Sequence, residues 1–363
     1  MKFEIWNFEI GKFEIWNFEF GICNYLIIVI IESSAPTRVD LAGGTVDIWP
    51  LYLFHPGAMT VNFALTLRAH VRIKTRKDRR VILESRDRKV KFETSLDCID
   101  ELARDQRLEL VSKMVHFFRP ETGFHLFAHS EAPAGAGISG SSALSIALIG
   151  ALNRLVGERY ADGNFIGIAA NIETTVIKVP AGIQDYYPAF YGSISGIHLR
   201  SDGVEREHLN IDETELERRF VICYTGEPRL SGINNWEIFK RHIDGDPKLF
   251  AIFESIRDAA VAMRAALLEN DWDAVAEIMR TAYPNRKRLA PNITTPHMDR
   301  LVETALANGA LAAKVCGAGG GGCIAFLCAQ GRKQDVKRAL AKEKGAEILD
   351  WKVAREGLVV RES

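Results

Sequence analysis

The chain has 363 residues, of which 47% are hydrophobic and 26% charged, and its formal net charge at pH 7 is −1. This is the composition of a globular protein long enough for two domains, because a single core rarely exceeds about 250–300 residues. The near-neutral charge argues against a nucleic acid or an anionic membrane as partner. Six cysteines without a CxxC pair or a regular framework indicate reduced thiols, and hence a cytoplasmic protein.

The amino terminus carries a duplication. Residues 2–11, KFEIWNFEIG, recur almost unchanged as residues 12–21, KFEIWNFEFG, and the unit does not return. Repeat proteins need about three or more stacked units, so residues 1–24 are interpreted as an appendage without chemistry that a misplaced start codon could have added. The apolar run that follows is too short to span a bilayer and lacks the features of a secretory signal. Tyr25–Glu32 is predicted to be the first core strand.

Strand patterns dominate the next hundred residues. Apolar and polar residues alternate in GAMTVNFALTLRAHVRIKTR, in RVILESRDRKVKFET and in GFHLFAHSEA, which predicts half-buried antiparallel strands. Helical spacing is found in LARDQRLELVSKMVHFF, residues 102–118. From Ala143 the segment ALSIALIGALNRLVG is apolar on most faces, which predicts a buried helix.

The segment EAPAGAGISGSSA, residues 131–143, joins a strand directly to this buried helix. Its glycines let the backbone approach an anion, and a helix beginning near Ser141 or Ser142 directs N–H groups and the positive end of its dipole to the same place. The segment is therefore predicted to bind phosphate. It lacks the lysine of a GxxxxGK[ST] loop, and although GAGISG matches GxGxxG, the antiparallel strands before it argue against a dinucleotide-binding domain.

Three segments resemble, in order and spacing, the signature motifs of the GHMP small-molecule kinases. They are APTRVDLAGGTVD (35–47), PAGAGISGSSA (133–143) and CGAGGGGC (316–323). With GIQDYYPAFYG (182–192), the first is most similar to sugar 1-kinases of the heptose-7-phosphate and fucose type. The resemblance covers about residues 28–363. It implies an α+β fold with mixed and antiparallel sheets, an ATP-binding domain at 25–195, a second domain at 196–363, and an active site in the cleft between them.

The resemblance also implies roles for individual residues. Asp185 matches the family's catalytic aspartate and Arg38 the arginine beside it, while Glu173 and Ser142 (or Ser141) match the ligands of Mg²⁺. The residues assigned to ATP are Pro133, Gly135, Ala136, Gly137, Ser139, Gly140, Ser141, Ser142 and Ala143. Those assigned to the acceptor are Gly44, Asp47, Gln184, Gly317 and Gly319, and the glycines of 317–322 are expected to form a loop that backs the phosphate loop.

Departures from the family pattern affect three of these assignments. The second motif usually reads GLGSSA or GLGTSSA, whereas here Ser139 replaces a glycine and Gly140 replaces Thr or Ser, so either serine could be the metal ligand. GGTVD stands in place of the GEHTD of galactokinases, which disfavours galactose. The loop containing Arg229, Ser231 and Asn234–Asn235 is open to two interpretations, a contact with a phosphate of the acceptor or a surface loop. A last strand near Glu347–Ala354 is expected to close the sheet.

The residue types suit phosphoryl transfer, which needs a phosphate cradle, a metal, a group that orients the acceptor hydroxyl, and positive charge near the transferred group. The predicted function is an ATP- and Mg²⁺-dependent kinase acting on a hydroxyl, the anomeric one, of a sugar or sugar phosphate such as a heptose 7-phosphate. A mevalonate-type or other non-sugar kinase and an inactive sugar- and ATP-binding sensor are the alternatives. A sensor has no need of Asp185, Arg38 and Glu173. A homodimer is left open.

Overall fold

The computed structural model describes residues 28–229, 233–289 and 292–363. The appendage predicted for residues 1–24, the start of the strand predicted at Tyr25–Glu32, and Ser231 lie outside this part of the chain. None of the described helices is long and apolar enough to cross a membrane.

Strands and helices alternate irregularly along the described chain. The strands are β1 (Ile30–Ala42), β2 (Met59–Thr75), β3 (Arg80–Ser85), β4 (Val90–Ser95), β5 (Phe124–Ser130), β6 (Ile194–Arg200), β7 (Gly203–His208), β8 (Phe220–Tyr224), β9 (Ala310–Val315), β10 (Cys323–Cys328), β11 (Glu347–Ile348) and β12 (Val359–Glu362). The helices are α1 (Glu109–Phe118), α2 (Gly140–Leu155), α3 (Phe165–Ile177), α4 (Tyr186–Tyr191), α5 (Glu213–Arg219), α6 (Ile233–Ile243), α7 (Pro247–Leu268), α8 (Trp272–Leu289), α9 (Pro296–Ala307) and α10 (Lys333–Leu340).

Eight of these strands form one mixed sheet. Their order is β12-β1-β2-β5-β3-β4, with β6 beside the first part of β2 and β7 beside β6. The pairs are antiparallel except for β3 and β5, which run in the same direction. Strand β1 ends in a turn at Gly43, whose φ is +87° and whose Cβ, if it had one, would lie 2.1 Å from the Met59 carbonyl oxygen. Only glycine fits there.

Helices α1, α2 and α3 cover one face of this sheet and share its core. Most of the α2 side chains are buried, as the apolar pattern predicts. The helix begins at Gly140, however, and not at Ala143, because Ser139 adopts the left-handed conformation (φ +57°) and stands at the N-cap. Ser141 and Ser142 therefore lie within the first turn of α2 and not at its cap.

The remaining strands form a second sheet in the order β11-β8-β10-β9. Side chains alternate between its two faces. Val221 and Cys223 of β8 belong to the core shared with α9 and α10, whereas Phe220 and Ile222 belong to the core shared with α7, α8 and the first sheet. The second sheet is thus buried on both faces, and one of its cores joins it to the first sheet.

The carboxyl terminus returns to the first sheet, which corrects the prediction of a last strand at Glu347–Ala354. Only Glu347–Ile348 pair in the second sheet. Trp351 and Val353 are buried in the core between the sheets, so the chain leaves the ladder there, and β12 pairs with β1. The predicted domain boundary between residues 195 and 196 lies inside β6, and the domain limits stay a prediction.

Candidate active site

Two cavities meet between the glycine-rich segment at 133–142 and the end of β1. The larger, of about 750 Å³, runs along the glycine-rich segment and past Glu173. The smaller, of about 80 Å³, is lined by polar side chains of β1, of the turn that follows it and of the segment 182–185. Both cavities are lined by Gly182, Asp185, Arg229 and Ala318. The two cavities therefore meet at Asp185.

The glycine-rich segment has the geometry of an anion site. Gly135 and Gly137 have φ of +69° and +75°, and a Cβ at Gly137 would lie 2.7 Å from the Cys316 carbonyl oxygen. The segment leads into the first turn of α2, whose N–H groups have no partner within the helix. The cavity is lined by Pro133, Gly135, Ala136, Gly137, Ser139, Gly140, Ser141 and Ser142. The side chain of Ala143 is in the core and does not line the cavity.

The glycines at 317–322 pack against this segment. The Cys323 N–H donates to the Ala136 carbonyl oxygen at 2.7 Å, and a Cβ at Gly322 would lie 2.7 Å from the same oxygen. This is the backing position that the family resemblance implies. Within the loop, Gly317 lines the smaller cavity, whereas Gly319 packs against Ile293 and does not line it.

Glu173 on α3 accepts three hydroxyl hydrogen bonds. The donors are Ser141 Oγ at 2.5 Å, Ser142 Oγ at 3.2 Å and Tyr186 Oη at 2.8 Å. Both serines thus lie beside the carboxylate, and the geometry does not single out one of them. Tyr186 has no signal in the sequence that would place it here. Burial raises the pKa of Glu173 above its ordinary value, although the hydrogen bonds from Ser141 and Tyr186 oppose this effect.

This donor set fits Mg²⁺. The described residues contain no cluster of three His, Cys, Asp or Glu side chains that could hold a metal alone. Mg²⁺ does not need one, since it usually binds through one or two carboxylates and fills its other positions with water and phosphate oxygens. Glu173 with Ser141 or Ser142 would hold the ion next to the phosphates, where it would neutralise their developing charge.

Replacing Glu173 with glutamine is expected to raise the Mg²⁺ concentration needed for half-maximal activity about 10–100-fold. The same change should raise the unfolding temperature at pH 8 without ligands. The pKa of Glu173 is higher in the folded protein than in the unfolded chain, so ionising this side chain costs stability. The wild-type protein therefore loses stability as the pH rises through the folded pKa, and the glutamine variant does not. Mg²⁺ titrations and thermal unfolding beside the exposed control Glu303→Gln measure both effects. An unchanged Mg²⁺ requirement would contradict the assignment.

Asp185 and Arg38 form an ion pair although they are 147 residues apart. Arg38 donates to Asp185 Oδ1 from Nε at 2.9 Å and from Nη2 at 2.5 Å, and its Nη1 donates to the Gly137 carbonyl oxygen at 3.1 Å. Burial opposes the charge of Arg38, but attraction by Asp185 and Asp40 outweighs it and raises the pKa of the guanidinium. Asp185 precedes α4 without making a side-chain capping bond. Asp185 lines both cavities, and its Oδ2 accepts no hydrogen bond from the described residues.

Asp47 is buried at the edge of the smaller cavity. Its oxygens accept from the Thr45 N–H at 3.0 Å and the Gln184 N–H at 3.1 Å. A Cβ at Gly182 would lie 2.2 Å from Asp47 Oδ2, and one at Gly44 would lie 2.3 Å from Asp40 Oδ2 and 3.1 Å from Gln184 Nε2. A side chain at either position would displace the carboxylate that it meets. Burial and the charge of Asp185 raise the pKa of Asp47 to about 6.

The pKa of Asp47 predicts a pH dependence for acceptor use. Below pH 6 the carboxylate becomes protonated and loses an acceptor for hydroxyl hydrogen bonds. We therefore expect kcat/KM for the acceptor to fall up to about tenfold per pH unit below about pH 6, a fall that Asp47→Asn should lack. The KM for ATP at each pH is the internal control. A wild-type profile that stays flat from pH 7 to pH 5 would contradict the role of Asp47.

Four charged residues at the site were not predicted, or were predicted only in part. Lys314 donates to both oxygens of Asp40 at 2.9 Å, and Arg286 lines the smaller cavity from α8. Asp40 follows Arg38 by two positions on β1, so the strand period could have placed both side chains on one face. No local pattern marks Lys314 or Arg286. Arg229 belongs to the loop for which the sequence left two interpretations open. It lines both cavities, and its N–H donates to the Gly135 carbonyl oxygen at 3.1 Å.

Comparison with known proteins agrees with this geometry. The family description "GHMP kinases N terminal domain" matches residues 109–193, and "GHMP kinases C terminal" matches residues 263–347. The D-glycero-alpha-D-manno-heptose 7-phosphate kinase of Campylobacter jejuni is 27% identical over 337 residues, which cover 90% of this chain and 98% of that protein. The mevalonate kinase of Pyrococcus furiosus is 24% identical over 349 residues, covering 92% and 98%.

Solved structures share the fold. The crystal structure of a D-glycero-D-manno-heptose 1-phosphate kinase from Bacteroides thetaiotaomicron superposes with a TM-score of 0.70 at 23% identity, and covers 91% of this chain and 98% of that one. At this identity the likeness establishes a two-domain fold of helices with mixed and antiparallel sheets.

Proposed function

Because the chain belongs to the GHMP kinases, we propose that it transfers the γ-phosphoryl group of ATP to a hydroxyl of a sugar or sugar phosphate. The observation that carries this proposal is the meeting of the two cavities at Asp185, which Arg38 holds beside the glycine-rich segment. ATP is assigned to the larger cavity and the acceptor to the smaller one. The cytoplasmic location is part of the proposal and is supported by free thiols at the described cysteines.

The residues at the junction provide what the transfer requires. Glycine-loop N–H groups and the first turn of α2 bind the phosphates, and a Mg²⁺ ion held at Glu173 would neutralise part of their charge. Asp185 orients the acceptor hydroxyl and takes its proton as that oxygen bonds to the γ-phosphorus and the bond to ADP breaks. Arg38 holds the Asp185 carboxylate in place and, through its contact with Gly137, stays next to the transferred group.

The charges around the smaller cavity favour an acceptor that carries its own phosphate. Asp185 is paired with Arg38 and Asp40 with Lys314, whereas Arg229 forms no ion pair with any other described residue. Burial and neighbouring arginines lower the pKa of Arg229, which an anion would reverse. The planar guanidinium of an arginine can donate two parallel hydrogen bonds to the oxygens of a phosphate. With the Campylobacter relative, this supports the anomeric hydroxyl of a heptose 7-phosphate as the first acceptor to test.

The test is ADP release with Mg²⁺ and ATP across free sugars, sugar phosphates including D-glycero-D-manno-heptose 7-phosphate, and mevalonate. Turnover with one sugar phosphate and not with its free sugar is the expected result. Turnover with mevalonate would show that the acceptor is a non-sugar alcohol and not a sugar. Binding of ATP and sugar without turnover would indicate a sensor and overturn the proposal.

A further inference from the structure

Arg286 connects loops from the two halves of the chain. It lies near the end of α8, and its Nη1 donates to the Gly44 carbonyl oxygen at 3.2 Å and to Thr45 Oγ1. Its Nη2 donates to the Gly317 carbonyl oxygen at 2.5 Å. One guanidinium thus binds the turn after β1 and the glycine loop before β10. Both loops line the smaller cavity.

The turn that Arg286 holds is the one that positions Asp47. The Thr45 N–H donates to Asp47 Oδ1 at 3.0 Å, and the Gln184 N–H donates to Asp47 Oδ2 at 3.1 Å. Gln184 directly precedes Asp185 in the chain. Arg286 is therefore linked through Thr45 to the carboxylate assigned to the acceptor, and through Asp47 to the segment that carries the base.

Charge and unsatisfied groups point to the same place. Burial lowers the pKa of Arg286, and the negative charges of Asp40 and Asp47 partly offset this effect. Within the described part of the chain, Arg286 Nε–H and Gln184 Oε1 are buried without a hydrogen-bond partner. One is a donor and the other an acceptor, and both belong to side chains that line the smaller cavity.

We propose that Arg286 is a positioning residue for the acceptor, which holds the Gly44–Thr45 turn and Asp47 in their binding geometry and ties them to Gly317. This inference rests on the proposed function, since it assigns the smaller cavity to the acceptor. Arginine is required because its planar fork reaches three oxygens on two loops, whereas the single ammonium of lysine is a point charge that cannot reproduce the fork.

Steady-state kinetics of Arg286→Ala and Arg286→Lys test the proposal, with Arg288→Ala as the matched control. Arg288 lies on the same helix, is exposed, and forms no ion pair with the described residues. Losing the fork should raise the acceptor KM about tenfold or more in Arg286→Ala and less in Arg286→Lys. The KM for ATP should stay within about twofold, and Arg288→Ala should match the wild type. A merely structural role would move both KM values together, and an unchanged acceptor KM would overturn the proposal.

Hydrogen exchange tests the same residue without turnover. In Arg286→Ala the amides of Thr45 and Val46, which are bonded within the turn, should exchange faster than in the wild type and in Arg288→Ala. The amides of α2 should be unchanged. Unaltered exchange at residues 43–47 would overturn the positioning role. If the wild type turns over no acceptor in the panel, the proposed function fails, and the exchange result still decides whether Arg286 holds the turn.

Discussion

Replacing Asp185 with asparagine is expected to lower kcat by about 10³-fold while ATP binding and the fold persist. The carboxylate lies where the two cavities meet, and it is the group that would take the proton from the acceptor hydroxyl. Asparagine keeps the size and the hydrogen-bonding oxygen of the side chain but cannot accept that proton. ADP release with saturating acceptor measures the effect, and fluorescence titration with ATP measures binding.

The matched control for this change is Asp202→Asn. Asp202 is an exposed turn residue between β6 and β7 with no ion pair among the described residues, so kcat and the unfolding temperature should equal those of the wild type. If Asp185→Asn retained more than about a tenth of the wild-type kcat, general-base catalysis by this carboxylate would be refuted, since such catalysis contributes at least about 10²-fold. A sensor would bind both ligands equally well with either residue at position 185.

The local parts of the site follow from the sequence. From Ala143 the residues are apolar on most faces of a helix, which predicts the buried helix α2. The glycines that precede this helix predict an anion site at its start. Ser139 shows the limit of this reasoning. Its left-handed backbone makes it the N-cap and starts the helix three residues early, although a non-glycine residue seldom adopts that conformation.

Pairs that form across the sequence do not follow from local patterns. Arg38 and Asp185 are brought together by the packing of α4 against β1, and only the resemblance to a family predicts that they meet. The Lys314–Asp40 pair joins residues 274 positions apart, and Arg286 reaches the Gly44 turn from 242 positions away. Composition and periodicity carry no information about which residues far apart in the sequence will meet. The return of β12 to the first sheet was missed for the same reason.

Replacing Arg38 with lysine is expected to lower kcat by about 10²–10³-fold. Arg38 is 3% exposed and uses three nitrogens on two partners, Asp185 and the Gly137 carbonyl oxygen. Lysine keeps the positive charge, but its single ammonium cannot hold both partners in the planar geometry of the guanidinium. Arg72→Lys is the control, because Arg72 is an exposed residue of β2 with a surface ion pair to Glu32. Steady-state ADP release under saturating substrates measures the loss.

The double variant Arg38→Lys/Asp185→Asn separates two explanations of that loss. If Arg38 acts by holding Asp185 in place, the double variant should be about as slow as Asp185→Asn alone, because the two residues work as one unit. If Arg38 instead stabilises the phosphoryl group independently of Asp185, the two losses should multiply. Nε and Nη2 of Arg38 contact Asp185, which favours the first outcome. Nη1 contacts the glycine-rich segment at Gly137, which favours the second. We therefore expect a combined loss larger than that of Asp185→Asn but well short of the product.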